Sequence, residues 1–160
     1  MKPSTQRVEA FIIRHSLDAE IISAPDGVPT VETAAAALGV PAEQILKTLV
    51  FRGPSGEIVI AIACGTGRVD RQKLAGAANL PKVTIAAPDI VLAATGYPAG
   101  GVAPVDLPED SIVVVDEQVL WQEQLFGGSG TDLHMLRIRA EDIVRLNSAR
   151  IAPILRDSAP

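Results

Sequence analysis

The chain has 160 residues, 48% of them hydrophobic and 21% charged, which excludes disorder and fits a single domain over residues 1–160 with a real core. Aromatics make up only 3% and the net charge is −5, which argues against a base-stacking single-strand binder and a broadly electrostatic binder of nucleic acid, so no DNA partner is expected. No run reaches the about 18 apolar residues of a membrane span, and the Met-Lys-Pro-Ser start does not read as a signal peptide, so a cytoplasmic protein without a membrane partner is expected.

Ser4 is placed to cap a first helix, in which Val8, Phe11 and Ile12 recur at helical spacing. Asp26-Gly27-Val28-Pro29 reads as a turn, and Thr30 then caps a helix through Ala34 to Leu38 that Gly39 ends. Pro41 opens a short helical turn leading into the strand-like run Leu46-Lys47-Thr48-Leu49-Val50-Phe51. Gly53-Pro54-Ser55-Gly56 reads as a hairpin connection to a second strand, Glu57 to Cys64. Asp70 caps a helix through Ala78, Lys82 to Ala86 is a short strand, and Pro88 to Thr95 is a helix ending at Gly96. After a loop from Tyr97 to Pro108, Ile112 to Val115 is apolar throughout and reads as a buried strand. Two more strands are expected around Glu123 to Phe126 and Leu133 to Ile138, joined by Gly127-Gly128-Ser129-Gly130. A helix from Ala140 to Leu146, an edge strand from Ile151 to Leu155 and a frayed Ser158-Ala159-Pro160 complete the chain. Hairpins mixed with crossover helices predict an α+β domain with a mixed sheet.

Lys47 is the most informative residue. With a side-chain period of two it shares a strand face with Ile45, Leu49 and Phe51. An ammonium on an apolar face must reach water, pair with an anion or shift its pKa. It is therefore a candidate for receiving a negative or polarisable group; the plainer alternative is a lysine whose stem lies on apolar surface and whose head sits in water.

Two glycine-rich segments stand beside it. Gly96-Tyr97-Pro98-Ala99-Gly100-Gly101-Val102-Ala103-Pro104 carries paired glycines between prolines, a rigid segment whose N–H groups can aim at oxygen atoms, although a connecting loop that needs positive φ angles explains it equally well. A side chain on Gly101 is expected to invade the space for a ligand and to spare stability. Gly127 to Gly130, with Ser129, Thr131 and Asp132, offers small hydroxyls and backbone to a polar pocket, although a hairpin turn explains it nearly as well.

Other chemistries fit less well. Gly65-Thr66-Gly67-Arg68-Val69-Asp70 fails the dinucleotide pattern at its third glycine, and Lys82 to Ala87 holds no acidic residue for a ribose. A nucleotide-dependent oxidoreductase is thus disfavoured and no cofactor is expected. Two histidines and Cys64 make no zinc cluster, and no Ser-His-Asp or Cys-His pair can be assembled. Cys64 sits in a mostly apolar run and reads as a buried structural thiol. Arg68, Arg71 and Lys73, and more loosely Arg137, Arg139, Arg145 and Arg150, read as solvated charges. Hydrolysis, if present, must rest on positioning and polarisation, with water or the substrate itself as nucleophile.

In order and spacing, Thr33 to Val40, Ile45 to Phe51, Arg68-Val69-Asp70, Thr95-Gly96-Tyr97, Gly100 to Pro104, Val115-Asp116, Gly127 to Gly130 and Glu141-Asp142-Ile143 resemble the YbaK/EbsC-like family. Its members are relatives of the editing domain of bacterial prolyl-tRNA synthetase. The resemblance implies a mixed, barrel-like sheet flanked by helices and a free-standing hydrolase that deacylates mischarged aminoacyl-tRNA at its acceptor end. A prolyl tRNA carrying a small amino acid such as Cys or Ala is the expected substrate, and a synthetase is a possible partner. A non-catalytic tRNA- or synthetase-binding module of the same fold is the alternative. Carried over residue by residue, Lys47 matches the lysine essential to deacylation, and Thr48, Gly100, Gly101, Ser129 and Asp132 fall at substrate-binding positions. The chain departs from the family at Ala103-Pro104-Val105-Asp106, where many members carry Ser-Pro-Phe-Gly, and this bears on amino-acid specificity.

Overall fold

The computed structural model describes residues 3–24, 27–131 and 133–157. The expected turn residue Asp26 and the end from Ser158 lie outside them. α1 (Pro3–Arg14) starts with proline in its first turn, so Ser4 lies inside the helix, and its hydroxyl donates to the Gly130 carbonyl (3.0 Å). This corrects the cap expected at Ser4. β1 (Glu20–Ser23) follows, a strand the sequence did not announce.

α2 (Val31–Leu38) begins as expected: the Thr30 hydroxyl accepts from the Thr33 N–H (3.1 Å), and the Thr33 hydroxyl accepts from the Thr30 N–H (3.0 Å). A 3-10 turn, Ala42–Gln44, feeds β2 (Leu46–Arg52), which turns back through residues 53–56 into β3 (Ile58–Cys64). α3 (Arg71–Ala78) is capped by Asp70, whose carboxylate accepts from the N–H groups of Gln72 and Lys73. β4 (Thr84–Ile85), α4 (Pro88–Thr95) and β5 (Ile112–Asp116) come next. β6 (Gln124–Gly128), β7 (His134–Arg139), α5 (Ala140–Asn147) and the short β8 (Arg150–Ala152) end the described chain.

The larger sheet has the order β4-β2-β3-β5-β8, antiparallel around β2 and parallel on either side of β5. The smaller, β1-β7-β6, is antiparallel. They meet at one parallel bridge, Ile45 to Phe126, so the architecture is the expected mixed α+β sheet with flanking helices, left as two sheets and not closed into a barrel.

β3 is buried on both faces, which explains its nearly continuous Ile-Val-Ile-Ala-Ile-Ala sequence. Ile60 and Ile62 pack into the main core with Tyr97, Val105, Leu125 and Ile138, while Val59, Ala61 and Ala63 lie under Leu74, Ala75 and Ala78 of α3. Asp116, 1% exposed, ends β5; its carboxylate accepts N–H bonds from Ile154 (2.9 Å) and Gln118 (3.1 Å), so the buried charge is satisfied. Among the described residues no helix is long and apolar enough to cross a membrane.

Candidate active site

β2 pairs with β3 along its whole length, but its outer edge is only partly covered. Phe126 reaches that edge at Ile45, and β4 reaches it at Phe51 and Arg52, with the Ala86 N–H donating to the Val50 carbonyl. The Ile45 carbonyl accepts from Gly65 on the β3 side, so alternation turns the backbone groups of Leu46, Thr48 and Val50 outward. Between the two covered ends the strand borders a cleft of about 220 Å³. Lys47, Thr48 and Leu49 line it from β2, Thr30, Val31 and Ala34 from α2, Gly100 and Val102 from one glycine-rich loop, and Gly128, Thr131 and Met135 from the other side.

Lys47 shares its face with Leu49 and Phe51, as the period of two requires, and is half-buried. Its ammonium donates to the Gly67 carbonyl in the loop between β3 and α3. Loss of hydration holds its pKa below the ordinary lysine value, and the charge of Arg68 pushes the same way. Thr48 is 8% exposed; its hydroxyl is buried and, among the described residues, has no hydrogen-bond partner.

The two glycines expected at the pocket separate. Gly100 lines the cleft, and a Cβ on it would meet none of the described residues within 4 Å. Gly101 is buried behind it: its N–H donates to the Pro98 carbonyl (2.9 Å), its carbonyl accepts from the Gly130 N–H (2.8 Å), and a Cβ would sit 2.9 Å from the Gly130 carbonyl carbon. The expectation that a side chain on Gly101 would fill ligand space is therefore corrected; it would push two backbones apart, and the Gly101 N–H is already occupied. Ser129 is fully buried, its hydroxyl has no partner among the described residues, and it does not line the cleft. Asp132 lies outside the described residues. Its neighbour Thr131 lines the cleft, with its hydroxyl accepting from the Leu133 N–H and 3.3 Å from His134 Nδ1.

Sequence reasoning did not single out Thr30, Ala34 or Met135 as cleft residues. Thr30 looked like a helix cap only, and the other two carry no polar signal. Cys64 is buried and burial pushes its thiol up to about 11, as a structural cysteine requires. Among the described residues no group of three or more His, Cys, Asp or Glu side chains converges as a metal site would need.

Residues 25–146 match the aminoacyl-tRNA editing domain family. The chain belongs to that family. It is 27% identical over 122 residues to the uncharacterised protein YwhH of Bacillus subtilis, covering 76% of this chain and 77% of YwhH. It is 32% identical over 113 residues to the proline–tRNA ligase of Nitratidesulfovibrio vulgaris, covering 70% of this chain but 20% of the ligase. The chain thus spans about a fifth of the proline–tRNA ligases it matches. A crystal structure described as that of a candidate trans-editing enzyme for prolyl-tRNA synthetase superposes with a TM-score of 0.89 at 26% identity, covering 98% of this chain and 99% of the other. The resemblance read from the sequence is borne out. Every residue lining the cleft falls within the editing-domain stretch, whereas α1, β1 and β8 fall outside it.

Proposed function

We propose that the chain hydrolyses the ester joining a wrongly attached small amino acid to the terminal ribose of tRNA, with a prolyl tRNA carrying alanine or cysteine as the leading substrate. The observation that carries this reading is Lys47: a half-buried ammonium beside a small cleft, in a chain of the editing-domain family. The cleft falls short of the about 300–1,000 Å³ typical of pockets for drug-sized ligands, which suits an aminoacyl group with the nucleotides left outside.

The ester carbonyl gains negative charge as a water molecule attacks its carbon. A cation partly withdrawn from water attracts that charge more strongly than an exposed one, so Lys47 stabilises the tetrahedral state or grips the nearby phosphate. The carbon–oxygen bond to the ribose then breaks. The ribose oxygen takes a proton, and the free amino acid and intact tRNA leave. The outward backbone groups of Thr48 are suited to orienting the substrate, and Gly100 leaves room for it. Cys64, buried and held protonated, is not used as a nucleophile.

The test is release of amino acid from tRNA charged with Ala, Ser, Cys or Pro, with and without prolyl-tRNA synthetase. Release from at least one mischarged prolyl tRNA, far above the spontaneous rate, is expected. Tight binding of such tRNAs with release no faster than in buffer would instead assign a non-catalytic binding module.

A further inference from the structure

We propose that Arg7 of α1 is a positioning residue for the editing site, so that a helix outside the family-matched stretch is a working part of it; this rests on the deacylase reading above. The wall of the cleft opposite β2 is made from two backbones packed on each other. Gly101 accepts from the Gly130 N–H, and a Cβ on Gly128 would lie 2.6 Å from the Val102 carbonyl oxygen. Contacts this close make the two segments move together.

Both segments are tied to α1. Ser4 donates to the Gly130 carbonyl from one turn of the helix. From the next, the Arg7 guanidinium gathers three acceptors at the base of the other loop. Its Nε donates to Asp106 Oδ2 (2.7 Å), one terminal nitrogen to the Asp106 carbonyl (2.6 Å), and the other to the Thr95 carbonyl (2.8 Å). The guanidinium carbon also lies 4.4 Å from the centre of the Tyr97 ring. Tyr97 is fully buried, and its hydroxyl donates to the Val105 carbonyl (3.0 Å), which draws the two stems of the loop together.

Asp106 has φ +54°, a left-handed conformation that a residue with a side chain keeps only when its surroundings fix it. Arg7 holds both its carboxylate and its carbonyl, and so fixes it. Only a planar fork reaches these acceptors at once; a lysine can replace one or two of the bonds. Thr95 and Asp106 bracket the stretch that presents Gly100 and Val102 to the cleft. Releasing the bracket lets that wall drift, and a misplacement of about 1 Å costs about 100-fold in rate.

The experiment compares Arg7→Ala, Arg7→Lys and Arg14→Ala with the parent chain, reading deacylation kinetics and backbone hydrogen exchange. Arg14 is exposed on the same helix, its guanidinium over the Phe11 ring, so its variant serves as the control. Arg7→Ala is expected to lower kcat by about 10- to 100-fold while KM for tRNA stays within about twofold. Exchange is expected to quicken at residues 96–106 and 128–131 but not in β2 and β3. Arg7→Lys is expected to fall between, and added guanidinium ion is expected to restore part of the kcat of Arg7→Ala.

A folded Arg7→Ala protein with parental kcat and loop exchange overturns the proposal. So does exchange that quickens uniformly in both Arg7 variants, because Arg7 then supports the fold at large. A parent chain without deacylase activity would instead refute the functional reading, and loop exchange alone would still decide whether Arg7 holds the wall.

Discussion

The Lys47 ammonium donates to the Gly67 carbonyl, tying the candidate catalytic side chain on β2 to the loop that leads into α3. That loop is itself held by the end of the chain. The Asp70 N–H donates to the Ile154 carbonyl (2.7 Å), the Arg156 N–H to the Arg68 carbonyl (2.8 Å), and the Leu155 side chain packs against Gly67. The lysine is thus held by a neutral acceptor, and the carboxylates of Glu32 and Asp116 act on its charge only as lesser influences beside desolvation.

Lys47→Ala is therefore expected to cut kcat/KM for deacylation by about 100-fold or more. Stability should change by less than about 1 kcal/mol, because removing a half-buried cation also removes the cost of its lost hydration. Parallel deacylation assays and thermal melts check this. Full activity in the folded variant would remove Lys47 from the mechanism.

The same burial sets a pH dependence. Desolvation lowers the Lys47 pKa in the folded chain, so between that value and the ordinary one the unfolded chain holds more protons and stability rises with pH. Activity runs the other way, since only the ammonium stabilises negative charge. The kcat/KM profile, corrected for spontaneous ester hydrolysis, is expected to fall on an alkaline limb whose midpoint lies below the ordinary lysine value. The residual activity of Lys47→Arg should lack that limb, because a guanidinium stays charged.

The glycines are expected to divide by what lies over them. Gly128→Ala and Gly101→Ala press a methyl into neighbouring backbone and should each lose about 1–3 kcal/mol. Gly100→Ala meets open space, so its stability should stay within about 0.5 kcal/mol while its turnover changes, because the methyl enters the cleft. Chemical denaturation with deacylation assays separates the two classes. A stable, slow Gly101→Ala would return that residue to the substrate side of the wall.

What the sequence disclosed was local. Thr30, Gly39, Asp70 and Gly96 mark helix ends because capping is settled within a few residues, and each does so in the structure. Glu20-Ile21-Ile22-Ser23 is too short to show a period and becomes a strand only by pairing with β7, more than a hundred residues on. Ser4 misled for the same reason, its partner Gly130 being equally distant. Lys47 was visible because a charge on an apolar strand is an anomaly. Ala34 and Met135 were not, since an apolar residue looks the same whether it lines a cleft or fills a core.

Cys64→Ala is expected to retain deacylation. The thiol is buried, and burial pushes it up to about 11, so almost no thiolate forms near neutral pH. Alkylating reagents should label it only on unfolding. A trapped acyl-enzyme on Cys64, or loss of activity in a folded Cys64→Ala, would point to covalent catalysis.

The cleft walls should set which amino acid is cleared. Ala34 is 2% exposed, and with Ile45 and Met135 it forms a small apolar cluster at the cleft. A pocket of this kind separates substrates differing by one methylene by only about 1–3 kcal/mol, so some cross-reactivity among Ala, Ser and Cys esters is expected. Ala34→Val should narrow the cleft and penalise the larger groups first, whereas Met135→Ala should widen it and admit them. The check is kcat/KM across one tRNA charged in turn with each amino acid, since a common tRNA cancels contacts outside the cleft. If both substitutions scale all substrates equally, side-chain size is not read at Ala34 and Met135, and these walls do not set specificity.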